Sequence, residues 1–206
     1  MSSMGMWIVG ALPAEDATRL AEEMEGAPLP PGYADELNWW RTSGSEEPFF
    51  TSSQSDPSTS VPTPAAHRFA ELVAAARLPD HTRDTAVDAL GAAAEEERFT
   101  VTAREMDPAA ALCHGLGPSG TAQLPGRFGE FALRPEAVGD ALELAEEVLG
   151  ATGDQRARVL EKVTEWASGM GDEPDLDAAE LLDAPLRILH RAAALGVGAA
   201  GVTVEY

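Results

Sequence analysis

The segment 6–16 of the chain, MWIVGALPAED, decides the fold. Residues 6–12 are apolar on both faces and end at Pro13, a pattern typical of a buried strand. Pro13 and the acids Glu15 and Asp16 favour a helix start, because proline fits the first turn and the helix dipole attracts carboxylates. The sequence therefore predicts a strand followed directly by a helix that ends near Gly26.

Three further segments show strand patterns. Residues 98–104 alternate apolar and polar side chains, 127–133 place Phe131 and Leu133 on one face, and 201–206 alternate again. Long helical runs lie between them, and no repeat at a fixed spacing is present. We therefore predict an α+β fold that is rich in helix, with a small mixed or antiparallel sheet covered by helices. Its strands are expected near 6–12, 98–104, 127–133 and 201–206.

The helical runs carry recognisable start and stop signals. Asp107 precedes Pro108 and is expected to cap a short helix that reaches Leu116. An earlier helix is predicted from about 82 to 98. Pro185 is expected to break or kink the last helix, because proline lacks the N–H that helical hydrogen bonding requires.

The charge balance excludes several classes of protein. The 206 residues include 14 Lys and Arg against 35 Asp and Glu, which gives a net charge of −21. Such an excess of carboxylates repels phosphate backbones and anionic lipid surfaces, so we expect neither a nucleic-acid nor a membrane partner. A hydrophobic fraction of 44% with 24% charged residues is typical of a globular chain. The length predicts one domain, 1–206.

The chain has a single cysteine, Cys113, so no disulfide can form within it. The N-terminus lacks a basic region, and the apolar stretch 7–12 is too short for a signal peptide or a membrane span. These features predict a soluble, cytoplasmic protein.

Residues 41–64 are rich in Ser, Thr and Pro. A segment of this length without a periodic pattern is usually a lid, an insertion or a linker. Too few residues precede it to form a separate core, so we predict a mobile surface insertion at about 41–64 rather than a domain boundary.

Large aromatic residues lie beside this insertion. Trp39, Trp40 and Arg41 stand between a Pro-rich loop and the Ser/Thr-rich segment, and Phe49 and Phe50 follow within it. Tryptophan supplies much buried area at interfaces, so these five residues are candidates for a binding surface. The alternative is a small packing cluster that pins the insertion to the core.

Asp107, Cys113 and His114 are the weak catalytic candidates. Neighbouring side chains on a helix point about 100° apart, so Cys113 and His114 do not readily share a proton. Asp107 and His114 would lie on one face but about 10 Å apart, with substrate or water between them. No two histidines have metal-ligand spacing, so we expect no metal. We expect no cofactor either, because the Gly-x-Gly-x-x-Gly spacing at 196–201 follows a helix and leads into a strand.

Four short segments carry a resemblance to a known family: Met4-Gly5-Met6 with 12–15, Met106 to His114, Phe128 to Glu136, and 186–206. Together they resemble the YfbM-like family of uncharacterised bacterial proteins. In the second segment Asp107 and His114 match the family's Leu-Asp-Lys-Ala-Trp-His-x-Leu-His pattern, whereas Pro108, Ala110 and Ala111 replace its lysine, tryptophan and first histidine. The resemblance implies an α+β fold and no particular activity.

Three functions remain open from the sequence. The first is a non-enzymatic interaction protein whose acidic surface complements a basic protein partner, as in an inhibitor or an immunity-type factor. The second is an uncharacterised enzyme with a site near Asp107 and His114. The third is an accessory domain that binds nothing charged.

Overall fold

The computed structural model describes residues 4–53, 60–171 and 176–206. A four-stranded antiparallel sheet lies at its centre, in the order β4-β1-β6-β5. Helices cover this sheet, which confirms the α+β prediction. The strands are β1 Met4–Leu12, β4 Arg98–Arg104, β5 Phe131–Leu133 and β6 Gly198–Glu205; a separate two-stranded hairpin consists of β2 Phe50–Ser52 and β3 Ser60–Pro62.

Strand β1 lies inside the sheet because its side chains are apolar on both faces. Trp7 and Val9 belong to one buried cluster, and Ile8 and Leu12 belong to a second cluster on the opposite face. A strand that is buried on both sides needs a layer of helices on each side. The second cluster is covered by α1 Ala14–Glu25 and α4 Asp80–Gly91.

The remaining six helices pack into the larger cluster. This cluster includes most of the fully buried large side chains, among them Trp166, Phe69 and Leu112. Its helices are α2 Tyr33–Thr42, α3 Pro64–Ala75, α5 Pro108–Thr121, α6 Pro135–Leu149, α7 Gly153–Met170 and α8 Ala178–Leu195. No helix in the described ranges is long and apolar enough to cross a membrane.

Two strand predictions need correction. Strand β5 covers only Phe131–Leu133, because 126–129 form a turn in which Gly126, Phe128 and Gly129 have positive φ angles. Strand β6 begins at Gly198, earlier than position 201. A Cβ at Gly198 would lie 2.2 Å from the Cβ of Ala17, so the small residues there let β6 pass close to α1.

Three helix predictions also changed. Helix α4 ends at Gly91, and a separate 3-10 turn, Glu95–Glu97, leads into β4. Helix α8 continues through Pro185 without a break. Helix α2, Tyr33–Thr42, was not predicted, and Trp39 and Trp40 are buried within it.

The segment 41–64 carries local structure at both ends. After α2 it forms a 3-10 turn, Gly44–Glu46, and then the β2–β3 hairpin. The Thr63 hydroxyl donates to the Pro48 carbonyl at 2.8 Å and ties the two ends together. Residues 54–59 lie outside the described residues, and the mobility of the segment stays a prediction.

Candidate functional site

Asp107 caps α5, as its position before Pro108 predicts. Its Oδ1 accepts hydrogen bonds from the amides of Ala109 at 2.8 Å and Ala110 at 3.2 Å. Its Oδ2 accepts from Nη2 of Arg77 at 3.2 Å. Burial raises the pKa of this carboxyl, while Arg77 and the two amides oppose the rise. These contacts of Asp107 are those of a structural cap and an ion pair.

Arg77 joins Asp107 to the last strand. Its guanidinium also pairs with Glu205, with Nη2 3.2 Å from Oε1. These three residues line a cavity of about 290 Å³, here called the Arg77 cavity, which is also walled by Glu71 and Glu105. The arginine in this cavity is already neutralised by carboxylates that the fold supplies.

Cys113 is buried among apolar side chains, and burial raises the pKa of its thiol to about 12. The thiol is therefore protonated at neutral pH, and a thiol is a weak nucleophile. Its helical neighbour His114 contacts a different set of residues. The adjacent pair seen in the sequence does not form a nucleophile and base.

His114 lies among aromatic rings. Its ring stacks on Phe49 with centroids 4.8 Å apart and lies 5.1 Å from Trp166. Burial lowers the pKa of this imidazole to about 4, and the charge of Lys162 adds to the effect. Nε2 lies 3.9 Å from Oε2 of Glu165 and has no hydrogen-bond partner among the described residues. The ring is therefore neutral at neutral pH and has no proton relay around it.

The structure does not bring Asp107 and His114 into one site. Asp107 lines the Arg77 cavity, whereas His114 lines another cavity of about 280 Å³ with Lys162 and Glu165. Asp107 contacts Arg77 and the amides of Ala109 and Ala110, whereas His114 contacts Phe49 and Glu165. A reaction that needs both groups would have to bridge two separate cavities.

The five candidate binding residues fall into two sets. Trp39 donates from Nε1 to Oε1 of Glu47 at 3.0 Å, and the Arg68 guanidinium lies 4.0 Å above its ring. Phe49 and Phe50 pack around His114 and Trp166. These contacts attach the 41–64 segment to the core.

Trp40 and Arg41 instead line a third cavity, of about 260 Å³, here called the α2 pocket. Trp40 is buried against Phe69 and Phe128, with ring centroids 4.9 and 5.2 Å away. Arg41 is exposed at the last turn of α2. Tyr33, at the other end of the same helix, also lines this pocket, and so does Arg127.

Sequence reasoning missed Glu130. Only 3% of this residue is exposed, and its Oε1 accepts from the amide of Thr203 at 2.9 Å. Oε2 has no hydrogen-bond partner among the described residues, and burial raises the pKa of the carboxyl to about 8. The local sequence predicted only a strand here. Arg127, three residues earlier, was missed for the same reason.

The described ranges contain no group of three His, Cys, Asp or Glu side chains that could hold a metal ion. Comparison with protein-family models, curated proteins and solved structures found no match to the chain. The resemblance to the YfbM-like family therefore stays a prediction.

Proposed function

We propose that this chain is a non-enzymatic binding protein whose partner is a basic protein, as for an inhibitor or an immunity-type factor. The proposal rests on the way the fold pairs its positively charged side chains with carboxylates. The chain has 14 Lys and Arg for 35 Asp and Glu, and the fold pairs many of these cations internally with carboxylates. Eight arginines form such pairs: Arg19, Arg68, Arg77, Arg83, Arg134, Arg156, Arg187 and Arg191.

Internal pairing leaves the excess negative charge with the remaining carboxylates, many of them exposed. A field of this sign raises the association rate with a positive partner and disfavours acidic competitors. The states of Asp107, Cys113 and His114 favour a binding role over the enzyme alternative. Asp107 is held as a helix cap, Cys113 stays a thiol and His114 stays a neutral imidazole.

Substitutions on helix α6 give the sharpest test of this proposal. Glu136, Asp140, Glu143 and Glu147 are exposed, and their spacing places them on the side opposite the buried Val138. The helix contains no Lys or Arg. Helices α7 and α8 instead mix charges, for example through the Arg156–Asp183 pair.

The test is affinity capture from a lysate of the native organism at low and at high salt. We expect basic proteins to be retained at low salt and released at high salt, because exposed charges are screened. A variant with E136Q, D140N, E143Q and E147Q should lose most of that retention. The matched control neutralises four exposed acids elsewhere, with E15Q, D84N, D88N and E95Q.

Three outcomes would overturn the proposal. The first is that nothing basic is retained at either salt concentration. The second is that basic proteins are retained equally at low and at high salt. The third is that both four-site variants lose retention equally, because that result indicates nonspecific attraction to net charge rather than a partner.

A further inference from the structure

The α2 pocket differs in charge from the rest of the molecule. Its lining includes Arg41 and Arg127 and no carboxylate, in a chain with 35 acids. Within residues 4–53, 60–171 and 176–206, neither guanidinium has a carboxylate at ion-pair distance. Arg127 also lines a neighbouring cavity with Glu25 and Glu130, but Arg41 and Arg127 line only the α2 pocket together. Two arginines without an ion-pair partner in the lining of one cavity make it a candidate site for an anion.

One wall of the pocket is formed by a single side of helix α2. Tyr33, Leu37, Trp40 and Arg41 are spaced so that they share one side of α2. The opposite wall comes from the end of α5 and from the 122–128 connection. The pocket therefore lies between a rigid helix and a turn.

That turn holds Arg127 in place. The Arg127 amide donates to the Glu130 carbonyl at 2.9 Å, and the Glu130 amide donates back at 2.9 Å. Gly126 has φ +71, Phe128 has φ +48 and Gly129 has φ +93. Positive φ at a bulky residue such as Phe128 is strained by roughly 1–3 kcal/mol. The Phe128 ring compensates by packing on Trp40, so the turn fixes the backbone that carries Arg127.

The third polar group of the pocket is the Tyr33 phenol. Burial raises the pKa of this phenol, and the positive charges of Arg127 and Arg41 oppose the rise. Both guanidiniums therefore lie within electrostatic reach of the phenol. Thr121 also lines the pocket, but its hydroxyl donates to the Cys113 carbonyl at 3.1 Å. The other walls are apolar or aromatic and include Trp40, Phe128 and Leu124.

We propose that the α2 pocket binds a small organic anion: a carboxylate or phosphate carried on a single apolar ring. Arg41 and Arg127 hold the anionic group, the Tyr33 hydroxyl donates to it, and the ring lies against Trp40 and Phe128. A cavity of about 260 Å³ is smaller than the ~300–1,000 Å³ of sites for drug-sized ligands, which limits the ligand to about one ring. This proposal is independent of the basic partner proposed above.

Calorimetric titration of the full chain tests it with four probes. Benzoate and phenyl phosphate carry both a ring and an anion, inorganic phosphate lacks the ring, and benzyl alcohol lacks the charge. We expect the first two to bind more tightly than the last two. Quenching or enhancement of tryptophan fluorescence should accompany binding, because Trp40 lines the pocket.

Variants locate the site. R41Q and R127Q should each weaken the binding of phenyl phosphate by about tenfold or more, the effect of losing one charge-assisted hydrogen bond. R41K and R127K should recover part of the affinity, because lysine keeps the charge but not the planar fork. The matched control is R158Q, which removes an exposed arginine outside the pocket and should leave affinity unchanged.

Each variant is first checked by its thermal melt, so that a loss of affinity is not a loss of fold. The proposal is overturned if no ring-bearing anion binds the folded protein at millimolar concentration. It is also overturned if benzyl alcohol binds as tightly as benzoate, or if R158Q weakens binding as much as R41Q and R127Q do.

Discussion

The Arg77 cavity and the α2 pocket have similar volumes, about 290 and 260 Å³, and both are lined by arginine. In the first, Arg77 lies between Asp107 and Glu205. In the second, Arg41 and Arg127 face a cavity lined by no carboxylate. The same residue type therefore supports the fold in one place and is available to a ligand in the other.

Burial explains the difference. The side chain of Arg77 is 17% exposed and that of Asp107 is 8% exposed, so each charge needs a partner supplied by the fold. Arg41 is exposed at a helix end, where water solvates its charge. Substitutions of enclosed and of open titratable side chains test this contrast.

The largest effect is expected for Asp107→Ala. The substitution removes the cap of α5 and leaves Arg77 without one of its two carboxylates, which should lower the free energy of unfolding by about 3–5 kcal/mol. Urea denaturation measures this. Asp107→Asn keeps a capping oxygen and should cost less. If the Ala variant unfolds at the wild-type urea concentration, the Arg77 cavity is not a structural element.

The next effect concerns Glu130→Gln. The pKa of Glu130 is raised to about 8 from the model-peptide value of 4.5, so its contribution to stability is present below about pH 4.5 and lost as pH rises through 8. Glutamine does not ionise, so the glutamine variant does not lose this stability as pH rises. Its free energy of unfolding relative to wild type should therefore increase by about 4 kcal/mol between about pH 4.5 and about pH 9. A constant difference across that range would contradict an enclosed Glu130.

A smaller pH effect of opposite direction is expected at His114. Its pKa is lowered to about 4 from 6.5, so the neutral ring is favoured and stability is lost as pH falls from 6.5 to 4. In wild type this loss amounts to about 3 kcal/mol between pH 6.5 and pH 4, and His114→Phe should remove it. Denaturation at a series of pH values measures it, and His81→Phe, at an exposed position, is the matched control. Equal changes in both variants would show that His114 is not enclosed.

The smallest effect is expected at the open groups. Arg41→Gln and Arg127→Gln should each change the free energy of unfolding by about 0.5 kcal/mol or less, because no ion pair among the described residues is lost. Thermal melts at neutral pH measure this. A loss as large as that of Asp107→Ala would place these arginines among the structural charges and would remove the contrast between the two cavities.

Local patterns predicted much of the fold. The apolar run of β1, the alternation at 98–104 and the cap at Asp107 all depend on residues close in sequence. The failures occurred where tertiary contacts override local preference. The predicted last strand began at 201, whereas β6 begins at Gly198, where the close approach of α1 requires a small residue.

The candidate site was less predictable than the fold. The sequence identified Trp40 and Arg41 as unusual, and both line the α2 pocket. It gave no sign that Arg127 would join them, because Arg127 lies far from α2 in the chain. It also paired Asp107 with His114 by helical spacing, whereas the structure places them in different cavities.

The sequence by itself determined the net charge of −21, the order of most strands and helices, and the cap that begins α5. Only the tertiary structure decided which charges meet. Arg77 lies 30 residues from Asp107 and 128 from Glu205, and folding brings all three together. The physical reason is the distance along the chain over which each effect acts. Periodicity and capping depend on residues a few positions apart, whereas burial and ion pairing depend on how segments distant in sequence pack together.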